Sequence, residues 1–180
     1  MSRRLVAGLV ALVALGGVFA YGLSKQDDIS SLDSKHVTVP PAGFETFAAA
    51  AIEGTSFDGT QFSLERLEGK PVFINFWGSW CEPCRREAPD LRTFSASLDG
   101  RASLVGVAVD SPRKDAVDFA RKAGWRYPIV STRCCGLNNS YGVVGMPTTI
   151  VVDSAGRVVD RLVGPQTIAR LRAELRALGA

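Results

Sequence analysis

Two cysteines, Cys81 and Cys84, stand two residues apart in the stretch Trp80-Cys81-Glu82-Pro83-Cys84. Thiols at that spacing can close a small disulfide ring and reopen it, which is the minimal apparatus for moving two electrons. The same spacing also makes half of a zinc site, so context has to choose between the two. An apolar run, Val72 to Trp77, reads as a buried strand just ahead of the pair. Behind it, Cys84, Ala88, Leu91, Phe94 and Leu98 follow helical spacing. The cysteines therefore open a helix, where the helix dipole and free N–H groups favour a thiolate on Cys81. Cys84 lies one turn further in, on the apolar face, as the shielded thiol that resolves a mixed disulfide by attacking Cys81. A purely structural bridge would be a poor use of so small a ring, which scarcely constrains the unfolded chain.

Glu87 follows Cys84 by three positions and so projects from the same helix face. Periodicity leaves two places open for it. Inside the core, its carboxyl would be pushed toward neutrality and could take and return protons during disulfide exchange. At the helix margin, it would reach solvent and pair with Arg85 or Arg86. Glu82, between the cysteines, disfavours a thiolate on Cys81, while Arg85 and Arg86 favour it. The balance leans toward a middling to reducing couple. Pro89 falls inside the predicted helix and should kink it by deleting a hydrogen bond to Arg85. Pro147, in Gly145-Met146-Pro147-Thr148, stands just before a predicted strand, where a cis bond is allowed.

The elements that must position these residues are legible as an alternation of strands and helices. Asp58-Gly59 between Thr55-Ser56-Phe57 and Thr60 to Leu64 signals a hairpin. Leu64 to Leu67 reads as a helical turn, Ser103 to Val109 as a second buried strand, and Tyr127 to Ser131 as a short one. Pro112 starts a helix that carries Ala116, Val117, Ala120 and Ala123 on one face and stops at Gly124. Thr148 to Val152 and Arg157 to Leu162 flank a second hairpin turn, and a last helix presents Ile168, Leu171, Leu175 and Leu178. This order implies an α/β fold, a central mixed sheet covered on both faces.

The 180 residues allow one ordinary domain plus an appendage, and a formal charge of +3 is too small to argue for nucleic acid. Arg3-Arg4 precede an uncharged apolar run from Leu5 to Leu23. As a helix it would span roughly 28 Å, about the thickness of a bilayer's hydrocarbon. We expect residues 1–23 to be a single transmembrane signal-anchor, residues 24–43 a flexible tether, and residues 44–180 the folded domain outside the cytoplasm. A cleaved signal peptide ending near Val18-Phe19-Ala20 is the alternative. His36, the only histidine, lies in the tether and reads as a solvated linker residue.

The stretch Asn75-Phe76-Trp77-Gly78-Ser79-Trp80-Cys81-Glu82-Pro83-Cys84-Arg85-Arg86-Glu87-Ala88-Pro89 resembles the active-site segment of the thioredoxin superfamily, specifically its membrane-anchored TlpA/ResA branch. Gly145-Met146-Pro147-Thr148 resembles that branch's cis-proline loop, and Asp58-Gly59 through Lys70-Pro71 its N-terminal hairpin. Pro112 to Ser131 resembles the helix and strand that distinguish the branch from plain thioredoxin. The resemblance covers roughly residues 46–178. It implies a thioredoxin-like sheet flanked by helices and a thiol:disulfide oxidoreductase, commonly a reductase. It puts Glu87 at the branch's buried active-site acid, and Trp80, Met146, Pro147 and Thr148 where substrate chain binds. The implied substrates are proteins with disulfides, apocytochrome c or copper-site proteins, with electrons from a membrane thiol carrier. No cofactor and no metal is expected, and the chain is expected to work as a monomer. A disulfide-forming oxidase and a copper-binding assembly factor are the rival functions.

Cys134-Cys135 departs from the simple pattern. If Cys81 and Cys84 form the working pair, these two must bond to each other, stay reduced or pair with another chain. A second redox or metal-contacting pair and two idle thiols both remain open here.

Overall fold

The computed structural model describes residues 44–132 and 136–180. The expected membrane span over 1–23, the tether over 24–43 with His36, and the Cys134-Cys135 pair lie outside the described residues. Among the described residues no helix is long and apolar enough to cross a membrane.

A six-stranded mixed sheet forms the centre. Its strands are β1 (Phe47–Ala48), β4 (Val72–Trp77), β5 (Ser103–Val109), β6 (Ile129–Thr132), β7 (Thr148–Val152) and β8 (Arg157–Val163), in the spatial order β1-β8-β7-β4-β5-β6. β4, β5 and β6 run parallel, and β7 and β8 run antiparallel to their neighbours. β2 (Glu53–Thr55) and β3 (Gln61–Ser63) make the expected hairpin as a separate two-stranded sheet, followed by a 3₁₀ turn over Leu64–Leu67. Just past β2, the Phe57 N–H donates to the Ile129 carbonyl and the Ile129 N–H to Ser56 Oγ, which covers the open edge of β6.

The strand period of two divides β4 cleanly. Phe73 and Trp77 face one apolar layer, whereas Val72, Ile74 and Phe76 face the other. The Phe73 layer is filled by α1 (Glu82–Ala96), α2 (Arg113–Ala123) and α4 (Ile168–Ala177), through Leu91, Phe94, Phe119 and Leu171 among others. The opposite layer takes Ile52, Phe62 and Leu64 from the hairpin region, with Tyr141 and Val143 following the short helix α3 (Gly136–Ser140). Gly106 on β5 is needed for this packing, because a Cβ there would come within 3.1 Å of Trp77 Nε1 and Ile129 and 3.3 Å of Tyr127.

Three details differ from the sequence reading. β6 begins at Ile129 rather than Tyr127. Pro128 has no N–H to give the ladder, and only its carbonyl joins, accepting from the Gly106 N–H. On α2 the buried residues are Ala116, Phe119 and Ala120, with Val117 and Ala123 only partly covered. The helix is rotated because Phe119 packs against both Trp77 and Trp125, its ring 4.8 Å and 5.3 Å from theirs, while those two rings meet edge-on at 4.9 Å. The strand β1 and the helix α3 had no periodic signal, being two and five residues long.

Phe94 is fully buried on α1 and meets Phe73 edge-on at 4.9 Å, so it ties the cysteine-bearing helix to the central strand. Phe94→Ala should therefore lower unfolding stability by about 3–5 kcal/mol, measured by urea denaturation of the oxidised protein.

Candidate functional site

α1 starts where β4 ends, after four residues of loop. Cys81 is the N-cap, with extended dihedrals, and its sulfur accepts the Cys84 N–H at 3.2 Å. Pro83 sits in the first turn, where its missing N–H costs no helical bond. The two sulfurs are joined as a disulfide, with a Cα separation of 5.3 Å. Both cysteines are buried, Cys84 completely and Cys81 to 3 % exposure. Pro89 lies within the helix as expected, and the neighbouring Ala88 carbonyl accepts the Trp125 indole N–H at 3.1 Å.

The loop ahead of Cys81 is held on several sides. The Ser79 N–H donates to Ser111 Oγ at 2.9 Å, and Arg85 donates to the Ser79 carbonyl at 2.8 Å. The Arg85 guanidinium also stacks over Phe119, 5.2 Å from the ring centroid. Trp80 is 59 % exposed, but its indole N–H donates to the Val109 carbonyl at 3.3 Å. The same indole lies on Gly78, where a Cβ would meet it at 2.7 Å. A large aromatic is thus kept rigid in water beside Cys81. Next to it, a cavity of about 360 Å³ opens between the loop and α2, lined by Ser79, Trp80, Arg85, Asp115, Phe119 and Lys122. Glu82 points outward and approaches Arg85 at 3.5 Å, a solvated pair worth at most about 1 kcal/mol.

The Met146-Pro147 peptide is cis. β7 begins immediately afterwards, and its register pairs Thr148 with Phe76, which puts Pro147 level with Trp77 at the strand end that leads to Cys81. Thr148 is buried and donates its hydroxyl to the Gly145 carbonyl at 2.8 Å, closing the loop on itself. On the far side, the Gly164 N–H donates to the Pro147 carbonyl at 2.9 Å. Val144 in this loop and Val163, paired with Thr148, are large apolar side chains left exposed, as is Trp80. These three bracket the proline loop and the start of α1.

Glu87 takes the inner of its two sequence-allowed places, at 1 % exposure. Its Oε1 accepts Asn75 Nδ2 at 2.9 Å, and its Oε2 accepts the Gln166 main-chain N–H at 3.0 Å. Burial raises its pKa from 4.5 to about 7. The Gln166 and Asn75 donors work against that rise, and the charge of Asp90 adds to it. Cys81, Cys84 and Glu87 thus share the first turns of one helix, with Pro147 at the adjacent strand end. Sequence reading did not single out Asn75, Thr149, Ser111 or Gln166. For Asn75 there was a signal, one polar residue in an otherwise apolar strand; for a main-chain donor such as Gln166 there was none.

A disulfide at the start of a helix leaving the central parallel strand, facing a cis-proline loop, defines a class: the thioredoxin-fold thiol:disulfide oxidoreductases. Residues 46–161 match the AhpC/TSA family. Thiol-disulfide oxidoreductase ResA of Bacillus thuringiensis (strain Al Hakam) is 30% identical over 126 residues, covering 69% of this chain and 72% of that protein. The structure of a putative thiol:disulfide interchange protein DsbE from Chlorobium tepidum superposes with a TM-score of 0.68 at 27% identity, over 76% of this chain and 99% of that one. A secreted thiol-disulfide isomerase from Corynebacterium glutamicum gives a TM-score of 0.66 at 28% identity, over 79% and 96%. The chain belongs to the AhpC/TSA family, as a TlpA/ResA-like thiol:disulfide oxidoreductase.

The raised carboxyl carries a prediction for stability. Between pH 4.5 and about 7 the folded chain holds a proton on Glu87 that the unfolded chain has released. Stability should therefore fall as pH rises through that window and level off above it, by a total on the order of 3 kcal/mol from this one group. Urea unfolding of the oxidised protein from pH 4.5 to 8 should show this decline, and Glu87→Gln should flatten it.

Proposed function

We propose that Cys81 and Cys84 are the working pair and that the protein reduces disulfides in other proteins outside the cytoplasm. The observation that carries this reading is the buried carboxyl of Glu87 one helical turn from the fully shielded Cys84. In the reduced enzyme the Cys81 thiolate attacks a substrate disulfide, forming a mixed disulfide and releasing the first substrate sulfur as a thiolate that takes a proton. Cys84 then passes its proton to the Glu87 carboxylate and attacks the Cys81 sulfur, which expels the second substrate sulfur as a thiolate, and Glu87 gives that proton up to the departing thiolate. The substrate gains two electrons and two protons, and the enzyme is left with the Cys81–Cys84 disulfide.

Trp80, Met146, Pro147 and Thr148 would receive the substrate chain, and the exposed Trp80, Val144 and Val163 give it an apolar rim. The reducing direction is supported by Glu82, which disfavours a Cys81 thiolate and so weakens the reduced form. The candidate substrates are apocytochrome c or copper-site proteins, with a membrane thiol carrier as electron source. Residues 1–23 would hold the domain at the bacterial cell membrane, and the secreted relative from Corynebacterium glutamicum supports an extracytoplasmic place.

The test is reduction of a protein disulfide by the purified, pre-reduced protein. Cys81→Ser should reduce activity to background without unfolding the chain, and Cys84→Ser should accumulate a mixed disulfide through Cys81. Full activity in Cys81→Ser would end the proposal. Equilibration with glutathione should give a couple at or below about −200 mV; a value near −120 mV, in the range of strong oxidants, would mark an oxidase instead. Stoichiometric copper held by the reduced pair would favour an assembly factor.

A further inference from the structure

Asn75 stands in the middle of β4, where every neighbour in the strand is apolar and buried. Its amide nitrogen has two protons to give. It donates to Glu87 Oε1 at 2.9 Å and to Thr149 Oγ1 at 3.1 Å. Thr149 lies directly across the β4–β7 ladder from Asn75, two residues beyond Pro147. Asn75 Oδ1, in contrast, is buried with no hydrogen-bond partner among the described residues. A leucine would remove that orphan acceptor but would leave the buried Glu87 Oε1 and Thr149 Oγ1 without their Asn75 donor. What the amide provides is a donor aimed at one carboxylate oxygen and held in that orientation by a hydroxyl on the next strand.

We propose that Asn75 is a positioning residue that sets how tightly Glu87 holds its proton, with Thr149 orienting the Asn75 amide. This rests on the proton-carrying role given to Glu87 above. A carboxylate can only accept, so a fixed N–H donor stabilises the charged form and releases the proton more readily. Two donors do this for Glu87: the Gln166 main chain, from the loop before α4, and the Asn75 side chain, from β4. The opposing influences are burial and Asp90 on the same helix. From the segment before β6, Tyr127 feels Glu87 in turn, its hydroxyl being pushed up by burial and by that negative charge. Cys84 lies one turn away on α1. Of the two donors, Asn75 is the one that evolution or mutation can retune through a side chain. Its link to Thr149 also places the proton carrier and the proline loop on a common hydrogen-bonded support.

The experiment is a carbon-13 carboxyl NMR titration of Glu87 in the oxidised full-length protein. The wild-type midpoint is expected near 7. Asn75→Leu should move it upward by about one pH unit, a roughly tenfold gain in proton affinity. Thr149→Val should move it in the same direction, whereas Thr149→Ser, which keeps the hydroxyl, should leave it at the wild-type value. An unmoved midpoint in folded Asn75→Leu or in Thr149→Val overturns the assignment, as does Thr149→Ser behaving like Thr149→Val. Should Asn75→Leu fail to fold, the two Thr149 variants decide alone. The underlying role of Glu87 is tested separately by the pH–rate profile of disulfide reduction. If Glu87→Gln leaves that profile unchanged, the proton-carrier reading fails, while the titrations still decide whether Asn75 governs Glu87.

Discussion

Desolvation of one carboxyl organises the active end of this molecule. Glu87 lies on the face of α1 that packs against the sheet, among Ala88, Leu91 and Phe94, where water cannot reach it. A charge in such a place is expensive, and the fold meets that expense only in part. One donor comes from the central strand and one from the loop ahead of the last helix. With two hydrogen bonds and no cation in direct contact among the described residues, the group stays between its charged and neutral forms around pH 7. A fully compensated carboxylate would never take a proton, and an uncompensated one would never give it up. Partial compensation suits the proton-carrying role proposed for this residue beside a thiol.

The sulfurs depend on a different kind of constraint, which is geometric. Cys81 can be the N-cap because β4 ends at Trp77 and the chain needs only Gly78, Ser79 and Trp80 to turn into the helix. Gly78 leaves room for the Trp80 indole, and Ser111, Arg85 and the Val109 carbonyl pin the turn to the ends of neighbouring elements. The proline loop approaches from the antiparallel side of the same strand, so the sheet register alone determines where it meets the disulfide. Of the exposed apolar groups, Trp80 is tied to the Val109 carbonyl and Val163 ends β8, while Val144 stands on the proline loop. A partner chain binding there would lose little of its affinity to ordering the enzyme's own surface.

The helix α2 shows how the two constraints meet. Its Phe119 packs on both Trp77 and Trp125 and carries Arg85 on its ring. Arg85 stands two positions from Glu87 on α1, on a different face, and holds the loop through the Ser79 carbonyl. Had Arg85 reached inward, a paired carboxylate would have lost its raised proton affinity. The extra helix therefore supports the loop ahead of Cys81 through Phe119 and lines the cavity beside it.

Much of this was written in local sequence. The strand-to-helix junction, the two hairpins and the glycine stop of α2 at Gly124 follow from periodicity and from the backbone restrictions of proline and glycine, which act over a few residues. The Cys81–Cys84 disulfide was legible for the same reason, since four consecutive residues carry it. Only the tertiary structure decided the rest. Whether Glu87 faced core or water depended on how α1 rolled against β4, a choice that i, i+3 spacing leaves open. The rotation of α2 was set by Phe119 packing on Trp77 of β4 and on Trp125 just past the helix, which its own run of alanines did not announce. Asn75 and Gln166 stand 12 and 79 residues from Glu87, and Thr149, which accepts from Asn75, stands 62 away; only the tertiary fold brings the two donors to one carboxyl and the hydroxyl to Asn75. A proton affinity is a property of that assembled environment, so no single segment of the chain contains it.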